Sequence, residues 1–160
     1  MKTNIASALA RFERGIQAFS AALSNLSPAD LDRAPVPGEW TPRQIALHIL
    51  DAEIVGAARL RWVAAQPGSS LPSYAGDIWS RQLGYESQSL ETAIKLFALL
   101  RQSTLAMLQQ LPDQAWSNLG VHEESGEVTL EKLLDDHCEH TEAHIRELVE
   151  RLPHATSVAV

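Results

Sequence analysis

Proline and glycine divide this chain into four long segments, and within each the apolar residues recur at intervals of three and four. That spacing puts side chains on one face of a helix, because 3.6 residues complete a turn. The first segment, 4–26, carries Ile5, Leu9, Phe12, Ile16, Phe19, Leu23 and Leu26 on one stripe, with Pro28 closing it. The second, 42–65, opens with Trp40-Thr41-Pro42-Arg43-Gln44. Thr41 is placed to cap, Pro42 suits the first helical position, and Gln44 stands where a capping box needs it. Trp40, just before the cap, is set to pack back on Leu47 or its neighbours. The inward face then reads Ile45, His48, Ile49, Ala52, Val55, Gly56, Arg59, Leu60 and Val63. The third helix covers about 86–110 and ends at Pro112. Thr129 caps the fourth, 130–152, and Pro153 terminates it. Four one-sided helices predict an all-α four-helix bundle. The connectors 27–41, 66–78 and 112–128 are rich in Pro, Gly and Ser, and two connectors of about 13 to 20 residues exceed what an up-and-down bundle needs. At least one long crossover connection is therefore expected, and the connectors are placed to wall a site. No period-two alternation is evident. Residues 1–153 read as one domain, with 154–160 as a flexible tail.

Composition narrows the function. The chain of 160 residues is long enough for one sizeable core. Acidic residues outnumber basic ones, 20 to 13, and the formal charge is -7. No Lys/Arg cluster is present to track a phosphate backbone, which argues against nucleic acid. Charge breaks every apolar run before 18 residues, so no membrane span is expected. Arg11, Glu13 and Arg14 interrupt the first apolar stretch too early for a signal peptide. A lone cysteine, Cys138, rules out an intrachain disulfide and suits a reducing compartment, so a cytoplasmic location is expected. Cys138 itself reads as a small buried hydrophobe.

The fourth helix contains three of the six histidines within eight residues: His137, His140 and His144. His140 and His144, four apart, share a face. They lie along the margin of the apolar stripe, so their rings point toward a partner helix. Buried ring nitrogens need partners. A divalent metal shared with His48, which sits on the inward face of the second helix, would supply one. His137 is placed either to replace one of these ligands or to support them by hydrogen bonding. Asp51, one turn beyond His48, is a candidate to orient a ligand ring or a water. Glu53 reads more readily as part of a solvated face, and Asp135 and Asp136 as surface acids. Three neutral imidazoles leave an ion its full charge and an open position, which is a catalytic kind of coordination. Nitrogen donors suit zinc, nickel, iron or cobalt, with manganese also possible, and the sequence does not choose among them. No His-Glu-x-x-His motif supplies a built-in base, so Asp51 and His122 are the candidate catalytic groups. Trp79, Tyr85, Trp116 and His122 lie in or beside the connectors, where they could line a cavity. Arg59 and Arg101 lie close to inward faces, each placed to pair with an acid or with a substrate carboxylate.

Three segments, in order, resemble the DinB-like (YfiT-like) family of metal-binding proteins. They are Trp40 to Glu53, Ile78 to Tyr85, and Gly120 to Leu134 followed by His137 to His144. The resemblance covers residues 5 to 152. It implies a four-helix bundle with a long crossover, commonly a homodimer. It implies a metal held by one histidine of the second helix and two of the fourth, which here are His48, His140 and His144. His137 then becomes a neighbour of the site, and Trp79 and His122 match recurrent family positions. Some members are transferases and isomerases that use low-molecular-weight thiols such as bacillithiol or mycothiol, and others are called metal-dependent hydrolases. The implied function is a metal-dependent enzyme acting on a small-molecule substrate. It would be either a thiol-dependent S-transferase or a small-molecule hydrolase. The alternative is a non-catalytic metal-binding or ligand-sensing helical dimer.

Overall fold

All four predicted helices form. In the computed structural model, which describes residues 2–24 and 26–150, they are α1 (Lys2–Ser24), α3 (Pro42–Ala65), α5 (Leu90–Leu108) and α6 (Leu130–Glu150). The expected end at Pro153 and the tail 154–160 lie outside the described residues. Pro28 does not close α1. It opens the short α2 (Pro28–Leu31), where the Ser27 side chain accepts the Asp30 N–H. The third helix starts later than its periodicity implied, because Tyr85–Ser87 form a separate 3-10 turn and Ser89 caps a fresh start.

The connectors hold more order than their composition suggested. Between α3 and α5 run β1 (Ser70–Leu71) and α4 (Gly76–Gln82). Between α5 and α6 run β2 (Leu119–His122) and β3 (Gly126–Thr129). β1 pairs parallel to β2, and β2 pairs antiparallel to β3. Lacking a period-two alternation, the sequence carries no sign of this small sheet. Two- and four-residue strands are too short to display an alternation, and the β1–β2 pairing joins segments far apart in sequence. Gly126, at φ 75°, supplies the left-handed residue that the hairpin turn requires.

The neighbouring helix pairs are α1–α5, α1–α6, α3–α5 and α3–α6. α1 and α3 therefore face each other across a diagonal, as do α5 and α6. Two apolar clusters fill the ends of the bundle. One gathers Phe19, Ile45, Ile49, Phe97 and Leu148, and the other Phe12, Leu60, Val63, Leu105, Leu108, Leu130 and Leu134. Late α3 residues thus share a cluster with late α5 residues, so these adjacent helices run parallel. Parallel neighbours need a connection that travels back along the bundle. Residues 66–89 make that long crossover, which ends with Arg43 near the start of α3 donating to the Gln88 carbonyl.

Between the two apolar clusters lies a polar layer. Arg101 of α5, 1% exposed, donates to Glu53 of α3 at 3.0 Å, to the Phe12 carbonyl of α1 at 3.1 Å and to Thr141 of α6 at 2.9 Å. Its guanidinium also lies over the rings of Phe12 and Phe97. His137 of α6 meets the same Glu53 oxygen at 2.8 Å. Glu53 is 0% exposed, so its expected place on a solvated face is corrected. Every residue from Ile45 to Glu53 is buried, because α5 and α6 flank this stretch of α3 and the crossover covers it. A helix covered on all sides has no polar face to assign.

Candidate metal centre

The start of α3 is fixed by the predicted capping box. The Thr41 side chain accepts the Gln44 N–H at 3.2 Å, and the Gln44 side chain accepts the Thr41 N–H at 2.9 Å. Two turns further on, His48 is 6% exposed. α6 runs antiparallel beside it and presents His140 and His144 one turn apart. One candidate donor nitrogen from each ring lies within 4.8 Å of the other two. The Nε2 atoms of His48 and His140 are 3.2 Å apart, and the His144 ring centroid is 4.6 Å from both other rings. Zinc–imidazole bonds of about 2.0–2.1 Å in a tetrahedral arrangement separate neighbouring nitrogens by roughly 3.3 Å. The spacing and the all-nitrogen donor set fit one divalent ion.

Two of the rings are held from behind. Nδ1 of His48 is 3.1 Å from the Tyr74 hydroxyl, and Nδ1 of His144 is 2.9 Å from Glu147 Oε2. An Nδ1–H given to each oxygen leaves the Nε2 lone pair free. Tyr74 also stacks on His48, at 5.5 Å between centroids and 15° between planes, while Trp79 packs edge-on against Tyr74. Trp40 lies edge-on to the His48 ring at 4.9 Å, so the residue expected to staple onto Leu47 also walls the site. Gly76 completes the cradle. A Cβ there would lie 2.7 Å from Cε1 of His48, so α4 approaches the ring only because no side chain intervenes.

Burial, reinforced by the neighbouring imidazoles, pushes His48 down to about 3 and His140 down to about 4. Both rings are neutral at pH 7, the form in which imidazole binds a metal.

The other candidate residues lie elsewhere. Asp51 is buried and accepts the Tyr85 hydroxyl at 2.5 Å. Asp51 is thus taken up by Tyr85, and it is not among the clustered groups. Burial raises its pKa, and the Tyr85 hydrogen bond partly offsets that rise. His122 sits at the β2–β3 turn, where its Nδ1 accepts the Glu124 N–H at 3.3 Å, and it is not among the clustered groups. His137 belongs to the Glu53–Arg101 layer. Trp116 is buried in the apolar core. Cys138 is buried, which pushes its thiol up to about 12, as suits a packing residue. Tyr74 is the functional side chain that sequence reasoning missed. It lies in a Pro/Gly/Ser-rich connector, and only the path of the crossover brings it over His48.

A cavity of about 280 Å³ opens between α3 and α6 beside the histidines. His140 and Tyr74 border it, Ala52, Val55 and Leu133 give it apolar walls, and Arg59 contributes a charge. The small residues Ala52 and Gly56 leave room here. Gly56 also sits against the ring of His137.

A family model described as the DinB superfamily matches residues 11–148. Among relatives, the chain is similar to YfiT of Bacillus subtilis strain 168, whose name makes it a provisional metal-dependent hydrolase. The two are 26% identical over 135 residues, covering 82% of this chain and 76% of that one. A protein of Oceanobacillus iheyensis with the same provisional name is 23% identical over 127 residues, covering 78% and 73%. The solved structure of Bacillus subtilis YfiT, described as a probable metal-dependent hydrolase with an unusual four-helix bundle topology, superposes with a TM-score of 0.87. Identity there is 21%, over 94% of this chain and 87% of that one. A mycothiol-dependent maleylpyruvate isomerase superposes with a TM-score of 0.72 at 14% identity, over 90% of this chain and 60% of the isomerase. These likenesses establish a shared four-helix-bundle fold. Among the described residues, no helix is long and apolar enough to cross a membrane.

Proposed function

This chain belongs to the DinB superfamily, and on that premise we propose that it is a metal-dependent enzyme of small-molecule chemistry. His48, His140 and His144 would hold one divalent ion. The observation that carries the reading is the convergence of three imidazoles from two helices beside a cavity. A bound divalent ion would supply Lewis acidity and lower the pKa of a water or thiol that reached it. The chain's own residues do the rest. Burial keeps His48 and His140 neutral, Tyr74 and Glu147 fix two ring orientations, and the apolar walls between α3 and α6 exclude water from the substrate.

The first reaction class is hydrolysis of a small ester or amide, in keeping with the names of the relatives. The second is transfer to or from a low-molecular-weight thiol. One feature favours this second class: the cluster is three rings with no carboxylate member among the described residues, and Asp51 is turned to Tyr85. A thiol that loses its proton to solvent needs no built-in base. Zinc and nickel remain the first ions to test. The homodimer is carried in the same proposal. Its support is apolar surface on α3 and α5, including Trp62, Leu96 and Leu99, which light scattering in solution would check.

The test is elemental analysis of protein purified without added metal. The same preparation is then screened in parallel against small esters and amides, and against bacillithiol or mycothiol with small electrophiles. One ion per chain is expected, with turnover in one arm that disappears on chelation and in His140→Ala. Protein that carries no ion and takes up neither zinc nor nickel at one equivalent would end the reading.

A further inference from the structure

The cavity beside the histidines contains an arginine charge with no ion-pair partner among the described residues. Arg59 Nε is buried and has no hydrogen-bond partner. One terminal nitrogen of the same guanidinium donates to the Pro72 carbonyl, and among the described residues no ion pair to Arg59 is present. The other inward arginine shows what a structural solution looks like. Arg101 has a carboxylate, a carbonyl, a hydroxyl and two aromatic faces. A guanidinium stays protonated at neutral pH, so Arg59 brings to the cavity wall a positive charge without a paired carboxylate.

The acids nearby are otherwise engaged or too distant to pair. Asp136 borders the cavity and is held by Lys132 one turn away. Glu123 accepts the Ser73 N–H, and Glu123 and Glu124 act on Arg59 only through space. Along α3, Ala52, Gly56 and Arg59 follow His48 by one, two and three turns. The cavity therefore runs beside roughly 10 Å of helix axis, from Ala52 to Arg59, at about 1.5 Å per residue. Its walls between the two ends are largely apolar.

We infer that this cavity takes a small, elongated monocarboxylate whose anionic end pairs with Arg59 and whose apolar body lies against Ala52, Val55 and Leu133, directing the other end toward His140. The inference deepens the proposed function, since it rests on that reading for the role of the histidines. The carboxylate pocket itself is present with or without an ion.

The test uses hexanoate and its uncharged isostere hexanamide, titrated calorimetrically into chelator-treated and zinc-loaded protein. Hexanoate is expected to bind at least about ten-fold more tightly than hexanamide in both forms. Arg59→Gln should erase that preference, and Arg59→Lys should keep part of it. Circular dichroism checks that each variant is folded, and the acid–amide comparison in the unmodified chain decides the matter even if one variant is not. Equal binding of the two probes, or no hexanoate binding in either form, overturns the inference. So does a preference seen only with zinc that survives Arg59→Gln, because the carboxylate then sits on the ion. An Arg59-dependent preference in protein that takes up no zinc leaves the pocket standing and removes the metal reading. Stoichiometric zinc uptake without the preference does the reverse.

Discussion

α3 and α6 build two polar clusters a turn or two apart, and the two differ in charge balance. In the inner layer, Glu53 is shared by Arg101 and His137 and is sealed from solvent, with only its Oε1 lacking a partner. Burial alone would raise the Glu53 pKa, but His137 and Arg101 together hold it below the ordinary carboxylate value. In the outer cluster, His48, His140 and His144 face one another beside a cavity, and Glu147 meets His144 only from behind. Buried polar groups of the same helices therefore take two forms. Opposite charges that meet inside the bundle fix the register of four helices. Like donors that converge are placed to share one ligand.

That contrast is open to measurement. The largest effect is expected from Glu53→Ala, which strands Arg101 in the core and should cost about 3–5 kcal/mol in urea denaturation. A cost below about 1 kcal/mol would show that the inner layer is not what holds the helices together. Next comes His144→Ala. It should abolish binding of one metal equivalent, while the metal-free stability moves by less than about 1 kcal/mol, as for a substitution outside the packed core. Retention of one ion per chain in that variant would remove His144 from the ligand set. Tyr74→Phe deletes only the oxygen behind His48. Metal affinity, read by competition with a chromophoric chelator, should fall about 10–100-fold with the fold intact. Unchanged affinity would make the tyrosine a packing residue.

The last effect concerns pH in metal-free protein. His48 and His140 titrate near 3 and 4 when folded, against about 6.5 in the unfolded chain. Below about 6.5 the unfolded state binds more protons, so folding stability falls as pH drops from 7 toward 5 and recovers on return. His48→Gln should flatten this slope. Identical slopes in the two proteins would mean that the buried ring does not stay neutral.

Much of this arrangement was legible before folding. The stripes from Ile5 to Leu26 and from Leu90 to Leu108, and the cap at Thr41–Gln44, depend on local spacing and local hydrogen bonds. The pair His140 and His144 needs only one helical turn to share a face. Asp51 and His122 were harder to place. Asp51 has the right spacing from His48, yet Tyr85 takes its carboxylate, and that tyrosine arrives from the crossover. His122 lies in a strand whose partners are set by pairing with residues 70–71.

Local periodicity and capping chemistry alone determined that this chain makes four amphipathic helices, and that three histidines lie on inward faces. These are short-range properties, set within one or two turns. Tertiary structure decided which acid is sealed in the core, which tyrosine stands behind His48, and which arginine has no paired carboxylate among the described residues. Each depends on α3 and α5 lying parallel, so that residues 66–89 must return along the bundle and cross the metal centre. A periodicity of three and four specifies a face, and only packing determines what that face meets.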